Sequence, residues 1–491
     1  MTDSPEAPRP DATSRRARRE AEERAGRRRT ARREPATAHD RVTGTGTGAA
    51  AGGPARAAHG ARHGRLRRGH AVGVVGRVTA AALAVVLVSG ASVGAIAAYQ
   101  VRQDIGEGVD LQAAQGQSQQ AQPPSLSAYD GGFNVLLVGT DNDTAQDEGA
   151  FGKRDATLND VNILLHVSAD HTNATAVSIP RDMVVPIPAC AKEDGSGYYS
   201  AMSARPINEA WSYGGLGCVA STVSELTGLD VPFAGMISFN GVIEMSNAVG
   251  GVPVCAAEPI KDRYTGLDIP AGESVLQGAE ALAFLRTRHG VGDGSDLGRI
   301  GSQQVYLSSL LRTVKSADTL GSPTKLYSLA RAAASNMQLS TSLTEIDTMV
   351  QIGLALRELP LEAVTFVQYP GSTGGSGVYA GKVQPDARVA EQLFDAIRAD
   401  RPFTLPEDST GLGSTLAPTE GAGTGAADAG APAGESPADP ATGEPTAPAT
   451  GATDGGAASG ADAGATGGTE VIDGLEGQTA AQQTCSRAFG N

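Results

Sequence analysis

Two short stretches of sequence decide the fold, FNVLLVG at residues 133–139 and VNILLHV at residues 161–167. Each is a continuous apolar run of strand length, which is typical of a strand buried on both faces. We predict a third strand at residues 175–179. Residues 301–314 and 388–398 instead repeat their apolar side chains at helical spacing. Strands mixed with amphipathic helices predict an α/β fold, with a central mixed β-sheet covered by helices on both faces.

Polar residues stand where these predicted strands begin or end. Asp141 follows the first strand, Asp160 precedes the second, and Arg181 follows the third. If the middle strand runs antiparallel to its neighbours, all three residues lie at one edge of the sheet. Two carboxylates at this edge can share a hard cation such as Mg²⁺. The alternative is that each acid is only a turn residue or a helix cap.

A glycine-rich stretch, LRTRHGVGDGSDLGRIGSQQ at residues 285–304, carries three arginines. We interpret residues 283–289 as a strand that points Arg286 and Arg288 to the same face. A helix is expected to begin near Ser295, which is a good N-cap, so that Arg299 and Gln303 share one helix face.

This stretch has two interpretations. Three guanidinium groups around a helix N-terminus form a site that suits phosphate, and the glycines leave room for a large anion. Alternatively, the arginines belong to a surface cluster of salt bridges with Asp293, Asp296 and Glu280.

Residues 78–98 contain no charge and, at ~1.5 Å per residue, are long enough to cross ~30 Å of hydrocarbon. Residues 1–77 hold 18 arginines and 8 acidic residues, whereas the whole chain carries −15. The positive-inside rule therefore predicts a single-pass anchor in the cell membrane, with a cytoplasmic N-terminus and an extracytoplasmic domain. A cleaved signal peptide is the alternative, but its leader is usually much shorter. Residues 1–77 contain no Phe, Trp or Tyr side chain to stack on bases, so nucleic-acid binding by this basic segment is not expected.

Composition divides the rest of the chain. We predict a disordered basic tail at 1–77, the membrane helix at 78–98, a stalk at 99–128 and one catalytic domain at 129–405. Residues 406–470 are mostly Ala, Gly, Thr, Pro, Asp and Ser, which favours a disordered linker. Residues 471–491 form a short C-terminal segment that contains Cys485.

All four cysteines follow the predicted membrane helix, where an oxidising compartment favours disulfides. Four cysteines allow three pairings. The pair nearest in sequence is Cys190 with Cys218, which leaves Cys255 with Cys485. A zinc site is a weaker interpretation, because there is no C-x-x-C spacing and few histidines follow the membrane helix.

An anion site outside the membrane restricts the possible energy sources for group transfer. The chain has no G-x-x-x-x-G-K-[ST] loop, and no ATP is expected outside the cell. Energy for group transfer must then come from an activated donor, for which a lipid-linked pyrophosphate is the natural candidate.

Over about residues 133–314 the sequence resembles the LytR–CpsA–Psr (LCP) family of cell-wall phosphotransferases. The motifs that carry the resemblance are NVLLVGTD, NDVNILLHVSAD, AVSIPRDMVVPIP, INEAWSYGG, NAVGGVPVC, GAEALAFLRTRHG and GSDLGRIGSQQ. The resemblance implies transfer of a teichoic-acid-type or other glycopolymer from a polyprenyl-pyrophosphate carrier to peptidoglycan. The expected acceptor is the 6-hydroxyl of N-acetylmuramate.

The resemblance also assigns residues by motif. Asp141 and Asp160 match the family's Mg²⁺ ligands, and Arg181 matches a pyrophosphate-binding arginine. The pair Arg286 and Arg288 matches its R-x-R motif. The remaining matches complete the phosphate pocket and are Asp296, Arg299 and Gln303. Asp296 is either a general base or an ion-pair partner that orients Arg299.

Two positions depart from the family pattern. Leu158 and Ser302 stand where many members have arginine, and Arg154 is a candidate substitute for the first. Two other functions stay open. One is a hydrolase that cleaves polyprenyl diphosphates, and the other is a non-enzymatic regulator that binds anionic wall polymer.

Overall fold

The computed structural model describes residues 71–111, 129–141, 157–417 and 469–490. The chain divides into two compact units, Met1–Val78 and Thr79–Asn491. Only residues 71–78 of the first unit are described, so the predicted tail lies almost wholly outside the described residues. The same holds for residues 112–128 of the predicted stalk and for residues 418–468 of the predicted linker.

The first helix is long and apolar. Within it, Val75–Asp104 contains an 18-residue window with a mean hydropathy of 2.2, so this part of the helix is apolar enough, by length and composition, to cross a membrane. The helix extends beyond the predicted span of 78–98 at both ends. The flanking segments 71–77 and 99–104 contain no proline, and Arg77 and Arg102 can extend their charged groups towards the interface.

The helices and strands in the described residues follow in chain order. The helices are α1 (Ala71–Asp104), α2 (Gly215–Thr227), α3 (Phe239–Val249), α4 (Gly278–Arg286), α5 (Asp296–Lys315), α6 (Ala317–Leu320), α7 (Pro323–Asn336), α8 (Ile346–Glu358) and α9 (Ala387–Arg398). The strands are β1 (Phe133–Thr140), β2 (Asn159–Val167), β3 (Ala174–Ile179), β4 (Val184–Ile187), β5 (Met202–Pro206), β6 (Phe233–Ile237), β7 (Val252–Ala256), β8 (Ile260–Asp262), β9 (Leu267–Ile269), β10 (Gly272–Leu276), β11 (Met337–Leu339), β12 (Val364–Gln368), β13 (Gly371–Ser372), β14 (Gln384–Pro385), β15 (Phe403–Thr404), β16 (Ser414–Leu416), β17 (Glu470–Val471), β18 (Gly477–Thr479) and β19 (Thr484–Ser486).

The central sheet is mixed and has seven strands in the order β11-β6-β1-β2-β3-β12-β18. Strand β2 runs antiparallel to both β1 and β3, which is the condition for Asp141, Asp160 and Arg181 to lie at one edge. Strand β6 is parallel to β1, and β12 is parallel to β3. The end of β1 and the end of β3 therefore meet the beginning of β2 at one edge of the sheet.

Helices cover both faces of this sheet, as the sequence predicts. On one face, Leu136 of β1 and Leu164 of β2 pack in the same core as residues of α2 and α9. On the other face, Ile163 packs in a core that includes residues of α8 and, at its margin, Leu307 of α5. The side-chain alternation of β2, with neighbours 163 and 164 in different cores, follows from the period of two in a strand.

The predicted strand at 283–289 is wrong, because Gly278–Arg286 forms helix α4. Its sequence GAEALAFLR is rich in the good helix formers Ala, Glu and Leu. Buried Ala281, Leu282 and Phe284 lie on the covered face of this helix. The Phe284–Leu285 pair alone does not distinguish a buried helix from a strand, which explains the error. Helix α5 does begin after Ser295, whose side chain accepts a hydrogen bond from Gly298 N.

The C-terminal segment completes the domain. Strand β18 extends the central sheet, and β19 lies between β7 and β16 in a second sheet of order β10-β7-β19-β16. Residues 406–417 therefore belong to the fold, and the predicted linker boundary at 406 is too early. Strand β16 was not predicted, because the sequence around it is rich in turn-forming residues. It forms by pairing with β19.

Both predicted disulfides are confirmed. Cys190 pairs with Cys218, with Cα atoms 5.3 Å apart. Cys255 pairs with Cys485 at a Cα separation of 4.4 Å, because β7 and β19 are parallel neighbours in register at these residues. The second disulfide joins positions 230 residues apart in the chain.

Candidate active site

A β-bulge sets the position of Asp160. Gly139 pairs with Val161 and Thr140 pairs with Asn159, so Asp160 is the extra residue of β2. A bulge bends a strand and re-aims a side chain. Asp160 Oδ1 accepts a hydrogen bond from Arg181 Nη1 at 2.6 Å. Asp141 lies at the same edge, is buried, and accepts a hydrogen bond from Leu158 N at 3.2 Å.

Asp296 joins this edge to helix α5. Its Oδ2 accepts a hydrogen bond from Arg181 N at 2.8 Å, and its Oδ1 lies 2.6 Å from Arg299 Nη2. Arg299 Nη2 also donates to the backbone oxygen of Asp160 at 2.7 Å. Asp296 and Arg299 are only 3% and 4% exposed. Of the acids proposed for a surface cluster, Asp296 makes this buried contact, whereas Asp293 Oδ1 accepts from Ser295 N at the start of the helix.

The Asp182 carboxylate lies close to three positively charged side chains. Its carboxylate lies 3.1 Å from Arg288 Nη2, 3.0 Å from Lys382 Nζ and 3.8 Å from Arg181 Nε. Burial raises the pKa of the Asp182 carboxyl, but the Lys382 hydrogen bond and the three positive charges lower it by more. The pKa therefore lies below its usual range, and the carboxylate stays ionised at neutral pH.

Asp182 and Lys382 are two residues of the site that were not predicted from the sequence. Asp182 was detectable, since it directly follows Arg181 in the SIPRD motif. Lys382 had no local signal, because it reaches the site from a loop 200 residues further along the chain.

The arginines keep hydrogen-bonding capacity for a ligand. The Nε atoms of Arg181, Arg288 and Arg299 are buried, and within the described residues they make no hydrogen bond. Burial lowers the pKa of Arg299, Asp296 raises it again in part, and the nearby Arg181 and Arg288 lower it further. An arginine still remains charged at neutral pH. Mutually repelling guanidinium groups with unpaired donors suit an anion with several acceptor oxygens.

An apolar cavity of about 590 Å³ opens at this cluster. Its polar end contains Asp160, Arg181, Arg286, Arg288, Arg299 and Gln303. The cavity lies between the sheet and helices α3, α4, α5 and α7. Its apolar lining is formed by Leu137, Val161, Ile163, Ile237, Phe239, Val242, Met245, Leu282, Leu285, Leu307, Leu310, Val314 and Leu329. The sequence alone did not separate these residues from the ordinary core.

Arg286 and Gln303 complete the polar end in different ways. The guanidinium carbon of Arg286 lies 4.2 Å from the ring centroid of Phe239, which is a cation–π distance. Gln303 Nε2 donates to Leu285 O at 2.9 Å and so joins α5 to the last turn of α4. Six of the sequence-predicted site residues thus line one cavity, whereas Asp141 and Asp296 are not part of its lining.

The acidic residues fit a cation that takes part of its coordination from a ligand. Within the described ranges, no group of three or more His, Cys, Asp or Glu side chains is placed to hold a metal. Mg²⁺ commonly uses one or two carboxylates together with water and substrate phosphate oxygens. The pair Asp141 and Asp160, beside an anion site, matches that donor set.

The model of the LytR_cpsA_psr family matches residues 98–396, which is more than half of the chain. The chain belongs to the LytR–CpsA–Psr family. It is 31% identical over 282 residues to the cell wall biosynthesis protein LcpA of Corynebacterium glutamicum, covering 52% of this chain and 54% of LcpA. The chain thus spans about half the length of this relative.

Two further comparisons concern solved and named family members. The polyisoprenyl-teichoic acid–peptidoglycan teichoic acid transferase TagT of Bacillus subtilis is 26% identical over 293 residues, covering 56% of this chain and 85% of TagT. The structure of a LytR-Csp2A-Psr enzyme from Actinomyces oris is 22% identical, with a TM-score of 0.41. It covers 56% of this chain and 96% of that chain.

One departure from the LytR–CpsA–Psr pattern has a structural reason. Ser302 is fully buried, and its Oγ lies 2.6 Å from Ser486 Oγ and 3.3 Å from Gly413 O. Strand β19 and the 413 loop fill the space that a longer side chain would need. At the second departure, Leu158 donates its backbone N–H to Asp141, and Arg154 lies outside the described residues.

The C-terminal segment also supports the arginine-bearing loop. Gly292 N donates to Arg487 O at 3.1 Å, and Phe489 N donates to Gly290 O at 3.0 Å. Gly490 N donates to Gly292 O at 3.1 Å. Gly292 adopts a φ of +54°, and a Cβ there would meet the backbone of Leu412 at 2.9 Å. Glycine is therefore required at this position.

Proposed function

We propose that this protein is a membrane-anchored phosphotransferase. It moves a glycopolymer from a polyprenyl-pyrophosphate carrier to peptidoglycan. The observation that carries the proposal is the apolar cavity whose mouth holds Arg286, Arg288 and Arg299. An apolar channel with a cationic end matches a lipid diphosphate, which has a long hydrocarbon chain and a charged head. The name of TagT supports the same reaction class.

The arginines act by position and charge. Arg181, Arg288 and Arg299 hold the diphosphate through charge-assisted hydrogen bonds and stabilise the charge that develops on the departing lipid phosphate. A peptidoglycan sugar hydroxyl attacks the phosphorus on the glycan side. The bond between this phosphorus and the bridging oxygen breaks, and the lipid leaves as a monophosphate. The hydroxyl proton is released, and the loose transition state of phosphoryl transfer places little demand on a strong base.

Asp296 serves as a positioning residue in this proposal. It is buried, and its two oxygens contact Arg181 N and Arg299 Nη2. A carboxylate held in this way fixes the Arg181 backbone and orients the Arg299 guanidinium, and its burial leaves little access for an incoming sugar hydroxyl. The geometry therefore favours the ion-pair role over the general base.

Mg²⁺ is the proposed cofactor. Asp141 and Asp160 would hold it at the sheet edge, beside the diphosphate. When bound, the cation supplies positive charge that neutralises phosphate oxygens during transfer. Asp160 has two carboxylate oxygens, so it can contact Arg181 and the cation together.

The anchor follows from helix α1. Its apolar part can span the membrane, and the 18 arginines of residues 1–77 favour a cytoplasmic N-terminus. The catalytic domain is then extracytoplasmic, where peptidoglycan is assembled and where both disulfides are stable.

A transfer assay tests the proposal. The purified full chain in detergent receives lipid-linked polymer with Mg²⁺, with and without soluble peptidoglycan fragments. The proposal predicts a covalently joined product and polyprenyl monophosphate only when both substrates are present. Release of lipid phosphate without acceptor would establish the hydrolase instead. A variant lacking both Asp141 and Asp160 that keeps its effect in cells would support the regulator.

A further inference from the structure

The hairpin formed by β8 and β9 presents an aromatic residue to solvent beside the arginine-bearing segment. The two strands pair antiparallel, and residues 263–266 form the turn between them. Tyr264 in this turn is 66% exposed. Its ring centroid lies 4.7 Å from that of His289, which is itself exposed. These two rings form the feature that we call the hairpin platform.

Hydrogen bonds fix the hairpin platform to the site. Tyr264 N donates to Asp262 Oδ1 at 2.8 Å. Asp262 Oδ2 accepts from Thr287 Oγ1 at 2.6 Å, and this contact is buried. Thr287 lies between Arg286 and Arg288 in the chain. The position of Tyr264 is therefore set by the same segment that carries the two arginines.

The platform combines apolar rings with hydrogen-bonding groups at their rim. The Arg263 guanidinium carbon lies 4.8 Å from the Tyr264 ring centroid, and its Nη2 donates to Tyr264 Oη at 2.7 Å. A pyranose ring has the matching character, because it carries C–H groups on its faces and hydroxyl groups around its edge. Aromatic side chains with a polar tip suit surfaces of this mixed kind.

The platform is also adjacent in the chain to one of the site arginines. His289 directly follows Arg288, and consecutive Cα atoms are about 3.8 Å apart. A glycan whose phosphorus is held by Arg288 would therefore begin beside the segment that carries the platform.

We propose that Tyr264 and His289 bind a pyranose ring of the glycan that reacts at the arginines. This inference rests on the proposed transferase function, because only that function places a glycan at the site. The sugar belongs to the donor polymer or to the peptidoglycan acceptor, and the chemistry of recognition is the same for both.

Steady-state kinetics of the full chain in detergent test the proposal. Tyr264→Ala should raise KM for one glycan substrate about tenfold and leave kcat nearly unchanged, since the ring binds sugar without touching the reacting atoms. Titrating peptidoglycan fragment at saturating donor reveals an acceptor site, and titrating donor at saturating acceptor reveals a donor site. Tyr264→Phe should retain most of the affinity, because it keeps the ring.

The matched control is Tyr198→Ala, since Tyr198 is 63% exposed in another part of the domain. It should leave both KM values unchanged. Unchanged KM values in Tyr264→Ala would overturn the platform and leave the transferase intact. A loss in Tyr264→Phe as large as in Tyr264→Ala would overturn ring contact as the cause.

Saturation-transfer NMR separates this proposal from the proposed function. The probes are a soluble peptidoglycan disaccharide and the lipid-free donor glycan. Wild-type protein should transfer magnetisation to the ring protons of one probe, and Tyr264→Ala should not. This result would support the platform even if the protein failed to transfer glycan. Equal signals from wild type and variant for both probes would contradict it.

Discussion

Arg288 and Arg299 differ in burial, although both line the mouth of the cavity. The Arg288 side chain is partly exposed and shares Asp182 with Lys382. Arg299 is buried against Asp296 and the Asp160 backbone. Removal of Arg288 leaves Asp182 with another cation, whereas removal of Arg299 leaves a buried carboxylate without its closest partner. The two residues should therefore respond differently to substitution.

We expect Arg288→Ala to lower single-turnover transfer by about a hundredfold or more, because one charge-assisted contact to the diphosphate is lost. Its melting temperature should stay within about 2 °C of wild type. Arg288→Lys should recover only part of the rate, since lysine cannot form a bidentate fork. Arg299→Ala should lose transfer and also about 3 kcal/mol of unfolding free energy.

The matched control is Arg205→Ala, which removes the exposed pair of Arg205 with Glu209. This variant should keep both rate and stability. Full transfer by Arg288→Ala together with a lowered melting temperature would show that the arginines form only a structural salt-bridge cluster.

The ionisation of Asp182 should make the free energy of unfolding depend on pH. Its folded-state pKa lies below the ordinary value of 3.8, because Lys382 and the two arginines outweigh burial. Its contribution is therefore complete above that value and is lost as the pH falls through the folded-state pKa. Urea unfolding between about pH 5 and pH 2 should show a steeper loss of stability in wild type than in Asp182→Asn. Parallel curves for the two proteins would refute this assignment.

Sequence reasoning reached the residues whose positions follow from strand order. Asp160 and Arg181 meet because β2 is antiparallel to β3. The apolar runs predict the two strands, whereas their antiparallel direction entered the prediction only as a condition. The role of Lys382 could not be predicted from the sequence, because a contact between residues 200 positions apart depends on the packing of the whole domain. The burial of Arg299 was also not predicted, since its contact with the Asp160 backbone joins residues that are distant in the chain.

At the scale of elements, local sequence predicted α5 and its N-cap better than α4. Ser295 followed by a helical apolar pattern is a specific start signal. Helix α4 lacks a side-chain cap, because Gln277 makes no capping hydrogen bond. Short strands such as β16 and β19 were not predicted at all, since three residues carry no periodicity.

The C-terminal strands β18 and β19 should contribute more to stability than the predicted linker that precedes them. Replacing Cys255 and Cys485 by Ala should lower the melting temperature clearly, because the chain-entropy model gives about 5 kcal/mol for so long a loop. Transfer should also fall, since residues 487–490 support the loop at 290–294. Deletion of residues 425–460, whose composition offers little apolar surface, should leave the melting temperature nearly unchanged. A larger fall in the deletion variant than in the double cysteine variant would reverse this ranking.

At the scale of the whole molecule, the proposed topology sets where each terminus lies. An epitope tag before residue 1 should resist a membrane-impermeant protease applied to spheroplasts, and a tag after residue 491 should be removed. Detergent should expose both tags equally and serves as the control. Removal of the N-terminal tag from intact spheroplasts would contradict a cytoplasmic location of the N-terminal segment.

The central claim is that one site binds a lipid diphosphate, with its chain in the apolar cavity and its phosphates at the arginines. A structure of the full chain with bound polyprenyl diphosphate measures this directly. We expect hydrocarbon between Leu137 and Leu310, and phosphate oxygens within hydrogen-bonding distance of Arg288 and Arg299. A lipid bound outside the cavity, or a diphosphate away from both arginines, would contradict the account.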